Sequence, residues 1–509
     1  MRTEARAAAK TAGERPNFGR TSFLGVILFL AVLSGALYFT GRSLLGDIAS
    51  SGDVIAQTAI LILGAALLLA LGFEFVNGFH DTANAVATVI YTRSLPPTVA
   101  VIWSGLWNFL GVILSAGLVA YSIIGLLPVE LILQVGSSAG YAMIFALLAA
   151  AIIWNFGTWF VGIPNSSSHC LIGSVLGVGL ANQLMAPAGY ATSGVNWAKA
   201  EEIARSLLLS PLIGFVFAGA LLLLLKLFAR NPKLYVAPKG DTPPPWWIRS
   251  ILVVTCTAVS FAHGGNDGQK GMGLIMLILI GAAPAAFALN RALPPTEIPA
   301  IIRALDETGG LAEAPAAGAP APTIETAREA LGEALRTKKW DKTGESEKSA
   351  ALGALCRDLS KRLAAAGSIK NIAPEATAAF RSDFYVAGEA AKLLGKQPGV
   401  APADADSLKL LTKEMEKTTR YIPDWVKVAV AFALGLGTMV GWRRIVVTVG
   451  EKIGKTHLTY AQGAAAETVA AATILTAQQL GLPVSTTHVL SSGVAGTMAA
   501  NGSGLQWST

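Results

Sequence analysis

Charge is scarce in this chain. Asp, Glu, Lys and Arg make up 14% of its 509 residues while 53% are hydrophobic, and the mean hydropathy is +0.53. That balance excludes a soluble domain of this length and leaves a polytopic membrane protein. Cysteine is scarce too: Cys170, Cys256 and Cys356 are the only three, with no CxxC pair, which excludes a disulfide framework and a thiolate zinc site. No ten-residue stretches of alternating polarity occur, which excludes a membrane β-barrel. The net charge of +7, from 39 Lys and Arg against 32 Asp and Glu, sits in the N-terminal tail and in loops beside apolar runs. Basic residues placed there report membrane orientation and do not call for nucleic acid.

What remains is a succession of apolar runs with small residues interleaved, the composition of helices packed in lipid. Runs long enough to cross about 30 Å of hydrocarbon lie near residues 23–41, 54–76, 99–122, 140–161, 206–228, 423–441 and 460–481. Shorter or interrupted ones lie near 163–181, 248–262, 271–289 and 483–500. Arg2, Arg6, Lys10, Arg15 and Arg20 precede the first run, which is too long for a signal-peptide core and is read as an uncleaved extra helix. Residues 1–50 are therefore a basic tail with that helix.

The chain repeats itself. GIPNSSSHCLIGSVLGVGLAN at 162–182 matches GLPVSTTHVLSSGVAGTMAAN at 481–501, and NGFHDTANA at 77–85 matches HGGNDGQKG at 263–271, aligning Asp81 with Asp267. Between the paired motifs, 88 residues separate Asp81 from His169 but 221 separate Asp267 from His488. The excess is accounted for by residues 291–422, rich in Ala, Glu, Lys and Pro, without a spanning run and with the linker-like APAAGAPAPT. Short surface helices are expected there, not a second catalytic domain. The division is thus 51–230 for the first repeat, 231–247 for a basic connecting loop, and 248–290 with 423–509 for the second. The second copy ends without a counterpart of the 206–228 run, so its last helix is expected to be missing.

Two copies of one polar site in a helical bundle mark a secondary transporter built from internal repeats, expected to be inverted. Each repeat should hold a broken helix and a re-entrant Ser/Thr-rich hairpin. The loop charges conflict over the number of crossings in 248–289, so the side of the membrane that holds 291–422 stays open.

Ionisable groups inside apolar runs are costly and mark function by default. Glu74, Asp81, Asp267, Lys270 and Glu467 are such groups; an isolated Glu467 reads equally well as a structural pair, whereas Asp81 and Asp267 recur at equivalent positions. Four of the five histidines, His80, His169, His263 and His488, lie in the repeated motifs. Asn77 aligns with His263 and His80 with Asn266, so each copy surrounds its Asp with one Asn and one His in exchanged places. Pro164 and Pro483 suit the first turn of a half-helix. Ser166, Ser167, Ser168 and Ser485, Thr486, Thr487 then stand at its N-terminal end, where free N–H groups and the dipole attract an anion.

With those residues quoted, the sequence resembles the Pit family of low-affinity inorganic phosphate transporters, in its bacterial form. FEFVNGFHDTANAVATVIYTR, SFAHGGNDGQKGMGLIMLILIG, GIPNSSSH, GLGTMVGWRRIVVTVGEKIGK and GLPVSTTHVLSSGVAGTM carry the resemblance over nearly all of 50–509. It implies symport of phosphate with a cation, an inverted-repeat fold, often a homodimer, and the cytoplasmic (inner) membrane of a bacterium. Carried onto this chain, Ser166, Ser167, Ser168, Ser485, Thr486 and Thr487 look like phosphate ligands. Asp81 and Asp267 with Asn77, Asn84 and Asn266 look like the coupling-cation site; His80, His263 and Lys270 join them, with Glu74, His169 and His488 in support. Sodium-coupled members have Asn where this chain has Lys270, which disfavours sodium there and points to protons carried by the aspartates and histidines. The bacterial branch further implies that phosphate travels as a neutral complex with Mg²⁺, Ca²⁺ or Zn²⁺, with Asp81 and Asp267 as metal ligands.

Other readings are weaker. Sulfate on the same scaffold is the nearest rival, followed by sodium-coupled phosphate symport. An intramembrane Ser/His hydrolase fails because adjacent helical residues diverge and do not form a nucleophile–base pair, and because duplication favours transport. A channel does not need duplicated hairpins that look like gates.

Overall fold

In hydrocarbon every backbone N–H and C=O needs an internal partner, so each apolar run closes into a helix. The computed structural model describes residues 16, 18–19, 22–52, 56–127, 137–186, 195–238, 240, 242–313, 322–337, 340, 345–398 and 400–506, excluding the side chains of 82–84. Among them are α1 (Phe23–Ser50), α2 (Gln57–Tyr91), α3 (Pro97–Ile113), α4 (Leu118–Ile124), α5 (Ser138–Val161), α6 (Ser167–Leu184) and α7 (Trp197–Phe228). Then come α8 (Trp246–Ala282), the insertion helices α9 (Ile298–Glu313), α10 (Ile324–Thr337), α11 (Glu345–Ala366), α12 (Pro374–Leu394) and α13 (Pro402–Thr419). The chain finishes with α14 (Asp424–Thr438), α15 (Arg443–Glu451), α16 (Tyr460–Gln479) and α17 (Thr486–Ala500).

One order of elements occurs twice: a long helix (α2, α8), a bent pair (α3–α4 at 76°, α14–α15 at 63°), a further helix (α5, α16) and a short helix that begins at the Ser/Thr motif (α6, α17). Glycines at positive φ, Gly117 (81°) and Gly441 (73°), lie in the bends, where a side chain would strain the turn.

The aspartate motifs do not break their helices. α2 and α8 run through Asp81 and Asp267 without interruption, and the broken helix expected of each repeat is the bent pair that follows. The motif glycines are needed for close approach instead of for a kink. A Cβ on Gly78 would lie 2.3 Å from the Leu434 carbonyl oxygen, and one on the aligned Gly264 would lie 2.1 Å from that of Asn108. Each long helix thereby packs on the bent pair of the other half. The separate runs at 248–262 and 271–289 fuse in the 37-residue α8, about 55 Å long at 1.5 Å per residue.

Five described helices are long and apolar enough to cross a bilayer, or seven spans when each bent pair counts as one. α16, a spanning run in the sequence, is not in that group. It buries Gln462, Glu467 and Gln478 against protein, and an interior helix need not match lipid. Trp154, Phe156, Phe160, Leu208, Leu212 and Phe217 are exposed on the bundle's outside, as side chains facing acyl chains should be.

The insertion is more than short surface helices. Its five helices of 14 to 22 residues close around a core of their own that includes Leu305, Leu331, Leu355, Leu359, Phe384 and Leu411. The buried Asp383 ties them, taking two bonds from Arg328 at 2.7 and 2.8 Å and another from Arg362.

Candidate functional site

The two Ser/Thr motifs form matched helix starts. Gly162 (φ 77°) and Gly481 (φ 66°) turn the chain, and Pro164 and Pro483 stand two residues before the helix caps instead of occupying the first helical position. The caps are Ser166 and Ser485, whose hydroxyls accept from the His169 and His488 amides at 3.2 and 3.1 Å. Serine already satisfies the orphan amide there, so proline serves only to fix the approach. The tips meet, with the His169 and His488 rings 4.8 Å apart and the Ser168 hydroxyl donating to the Val484 carbonyl at 2.8 Å. Ser166, Ser167, Ser168, Ser485, Thr486 and Thr487 are all buried.

Each tip is held by the aspartate motif of the other half. Thr487 Oγ1 donates to Asp81 Oδ1 at 2.8 Å. Lys270 Nζ bridges Ser168 Oγ and Asp267 Oδ1, the latter at 2.6 Å. Within the second half itself, Asn266 Nδ2 donates to the Leu482 carbonyl at 3.2 Å. The third hydroxyl of each motif is thus engaged, whereas the second, Ser167 Oγ and Thr486 Oγ1, is buried with no partner among the described residues. A buried hydroxyl without a partner costs about 1–3 kcal/mol, and here it happens at aligned positions of both repeats.

His263 shows where a cation fits. Asn108 Nδ2 points to Ser104 and Thr438 hydroxyls, both at 3.4 Å, so its Oδ1 accepts from His263 Nδ1 at 2.7 Å. That bond fixes the proton on Nδ1 and leaves a lone pair on Nε2. Nε2 faces Asp267 Oδ2 across 3.6 Å, and neither atom has a hydrogen-bond partner among the described residues. Two lone pairs so placed repel unless a proton or metal ion lies between them. Ligand atoms of Asp81, His263 and Asp267 all lie within 4.8 Å of one another.

The remaining sequence candidates join this centre in part. His80 is buried with Nδ1 3.4 Å from Asp81 Oδ1 and Nε2 3.3 Å from Thr158 Oγ1. Glu74 accepts from Asn77 Nδ2 at 3.3 Å and lies against Gly271, where a Cβ would meet its side chain at 2.3 Å. Asn77 Oδ1 and Glu74 Oε1 are buried without a partner among the described residues. The side chain of Asn84 is outside the described residues. Glu467 belongs elsewhere, accepting from Thr255 at 2.5 Å.

The family profile described as "Phosphate transporter family" matches residues 77–509. The chain belongs to the phosphate transporter family. The low-affinity inorganic phosphate transporter PitA of Escherichia coli (strain K12) is 41% identical over 480 residues, covering 89% of this chain and 92% of that protein. PitB of the same strain is 41% identical over 463 residues, with 88% and 91% covered, and a probable low-affinity inorganic phosphate transporter of Bacillus subtilis (strain 168) is 28% identical over 458, with 90% and 91% covered. Among solved structures, a sodium-dependent phosphate transporter covers 86% of this chain and 90% of its own at 22% identity and a TM-score of 0.45. The chain is accordingly a multi-pass membrane protein of a transporter family, not an enzyme.

Two contributors to this phosphate transporter's centre were not singled out in the sequence. Asn108 fixes the His263 tautomer, and Gln269 Oε1 accepts from the Val119 amide at 2.8 Å, satisfying an orphan N–H at the start of α4. Asn108 is a buried amide in an otherwise apolar stretch, the signal that would have found it, and Gln269 is a buried amide inside the quoted HGGNDGQKG motif.

Proposed function

We propose that the chain imports inorganic phosphate across a bacterial cytoplasmic membrane by secondary active transport, with the two repeats inverted and alternating around the tips. The observation that carries this reading is the aligned pair of buried, unpartnered hydroxyls, Ser167 and Thr486, at two helix starts that face each other. A phosphate oxygen bound at each would accept from the hydroxyl and from first-turn amides. Ser166 and Ser485 hold the caps; Ser168 and Thr487 anchor the tips to the opposite half.

Co-substrate cations take the Asp81, His263 and Asp267 centre. A divalent metal travelling with phosphate, Mg²⁺, Ca²⁺ or Zn²⁺, meets two carboxylates and an imidazole nitrogen there, and a proton has the same two lone pairs to bridge. Metal beside the anion reduces the cost of desolvating a dianion. Lys270 argues against sodium, since its ammonium already neutralises Asp267 at 2.6 Å.

Radiolabelled phosphate uptake into proteoliposomes, with ΔpH, sodium and Mg²⁺ varied separately, tests the scheme. Uptake driven by an inward proton gradient, raised by Mg²⁺ and lost in Asp81→Asn supports it. Uptake that follows sodium and ignores ΔpH overturns the coupling, and sulfate uptake in place of phosphate overturns the substrate.

A further inference from the structure

A cavity of about 910 Å³ lies between the insertion and the membrane bundle. From the bundle it is lined by Tyr121, Lys199, Met276, Ile280, Leu480 and Gly481, and from the insertion by Arg381, Tyr385, Lys392, Lys396, Glu416 and Arg420. Met276 and Ile280 lie on α8 beyond Asp267 and Lys270, and Gly481 opens the turn that leads to Ser485. The cavity therefore abuts the outer side of the second hairpin.

Its charges do not cancel. The lining glutamates are each paired: Glu202 with Lys199 at 2.7 Å, Glu389 with Lys392 at 3.5 Å, Glu416 with Arg420 at 2.5 Å. Arg381 and Lys396 are left over, and neither makes an ion pair among the described residues. Arg381 gives one hydrogen bond, from Nη1 to the Ala288 carbonyl at 3.2 Å, and the titratable groups that act on it are the neutral phenols of Tyr121 and Tyr385. Burial draws its pKa down to about 10, so the guanidinium stays charged at neutral pH.

A cation half-buried without a counter-charge is costly, and low-dielectric walls focus its field into the cavity. A guanidinium fork with a second ammonium and two phenols nearby matches a doubly charged tetrahedral oxyanion.

We propose that this cavity is a second oxyanion site, a loading vestibule in which the insertion holds inorganic phosphate beside the second hairpin before or after it occupies the tips. The role of the insertion is then to build the vestibule. The inference rests on phosphate as the transported anion but not on the tip ligands proposed above.

Equilibrium binding of [³²P]phosphate to full-length protein in detergent tests it, using wild type, Arg381→Gln, Arg381→Lys, Lys396→Gln and the tip variant Ser167→Ala/Thr486→Val. Wild type should show two components. Arg381→Gln should lose the one that weakens most with added salt, Arg381→Lys should retain it at reduced affinity because the charge stays and the fork is lost, and Lys396→Gln should weaken it about threefold. The tip variant should lose only the other component. If Arg381→Gln does not fold, Lys396→Gln on its exposed side chain decides: a weakened component supports the vestibule and an unchanged one overturns it. Isotherms of both Arg381→Gln and Lys396→Gln that superimpose on wild type overturn it, as does a tip variant that binds no phosphate at all. If the tip variant keeps both components while Arg381→Gln loses one, the vestibule stands and the tip reading falls. Arg381-dependent phosphorus recovered only as extracted lipid overturns the assignment to free phosphate.

Discussion

Ser167 and Ser168 are neighbours with opposite predicted phenotypes. Ser167 Oγ is buried and has no partner among the described residues, so Ser167→Ala removes no hydrogen bond between them. It relieves an unsatisfied hydroxyl, and stability should stay within about 0.5 kcal/mol of wild type or rise. If that hydroxyl donates to phosphate, the variant loses one bond to a charged acceptor, about 1.5–3 kcal/mol, or roughly 10- to 150-fold in affinity at 1.4 kcal/mol per decade. Ser168→Ala, in contrast, strips a bridge that takes a bond from Lys270 and gives one to Val484 at 2.8 Å. It should lower stability by about 1–3 kcal/mol along with affinity. Thermal unfolding in detergent, run beside phosphate binding at the tip site, separates the two. A Ser167→Ala protein that binds phosphate like wild type would refute the reasoning, and so would one that melts well below it.

Two further substitutions follow from the geometry. Lys270→Asn gives the second repeat the residue that Asn84 supplies in the first, leaves Asp267 without its 2.6 Å partner, and should destabilise the protein by about 3–5 kcal/mol. Part of that loss should return on adding sodium, read as a rise in melting temperature absent from wild type; sodium without effect on the variant would remove the link between Lys270 and cation choice. Gly264→Ala puts a Cβ 2.1 Å from the Asn108 carbonyl oxygen, whereas Gly173→Ala on α6 meets nothing within 4 Å. The first should abolish folded protein and the second should leave it intact, as judged by size-exclusion profiles; equal behaviour would show that α8 does not need its close contact with α3.

The helical class, the duplicated motifs and most of the site's members were legible in the sequence, because hydropathy and self-similarity are properties of consecutive residues. Asp81 and Asp267 announced themselves by recurring in apolar surroundings, and the Ser/Thr triplets by their Gly-x-Pro lead. Continuity of α2 and α8 was not legible. The apolar runs stop short of both motifs, at 76 and 262, yet α2 and α8 continue through Gly78 and Gly264, which pack against carbonyls from helices far along the chain. The core of the insertion was obscured in the same way, since its helices are too polar to stand out until their apolar faces meet.

By itself the sequence determined that two polar sites sit in one membrane bundle and which residue types they hold. Only the tertiary structure decided which atoms meet: Thr487 with Asp81 across 406 positions, Ser168 with Lys270 across 102, and Asn108 behind His263. It also decided that in each triplet one hydroxyl is tied and its neighbour left open. The physical reason is that burial is encoded residue by residue, whereas partnership depends on how helices cross, and crossing is fixed by contacts between segments that the chain keeps far apart.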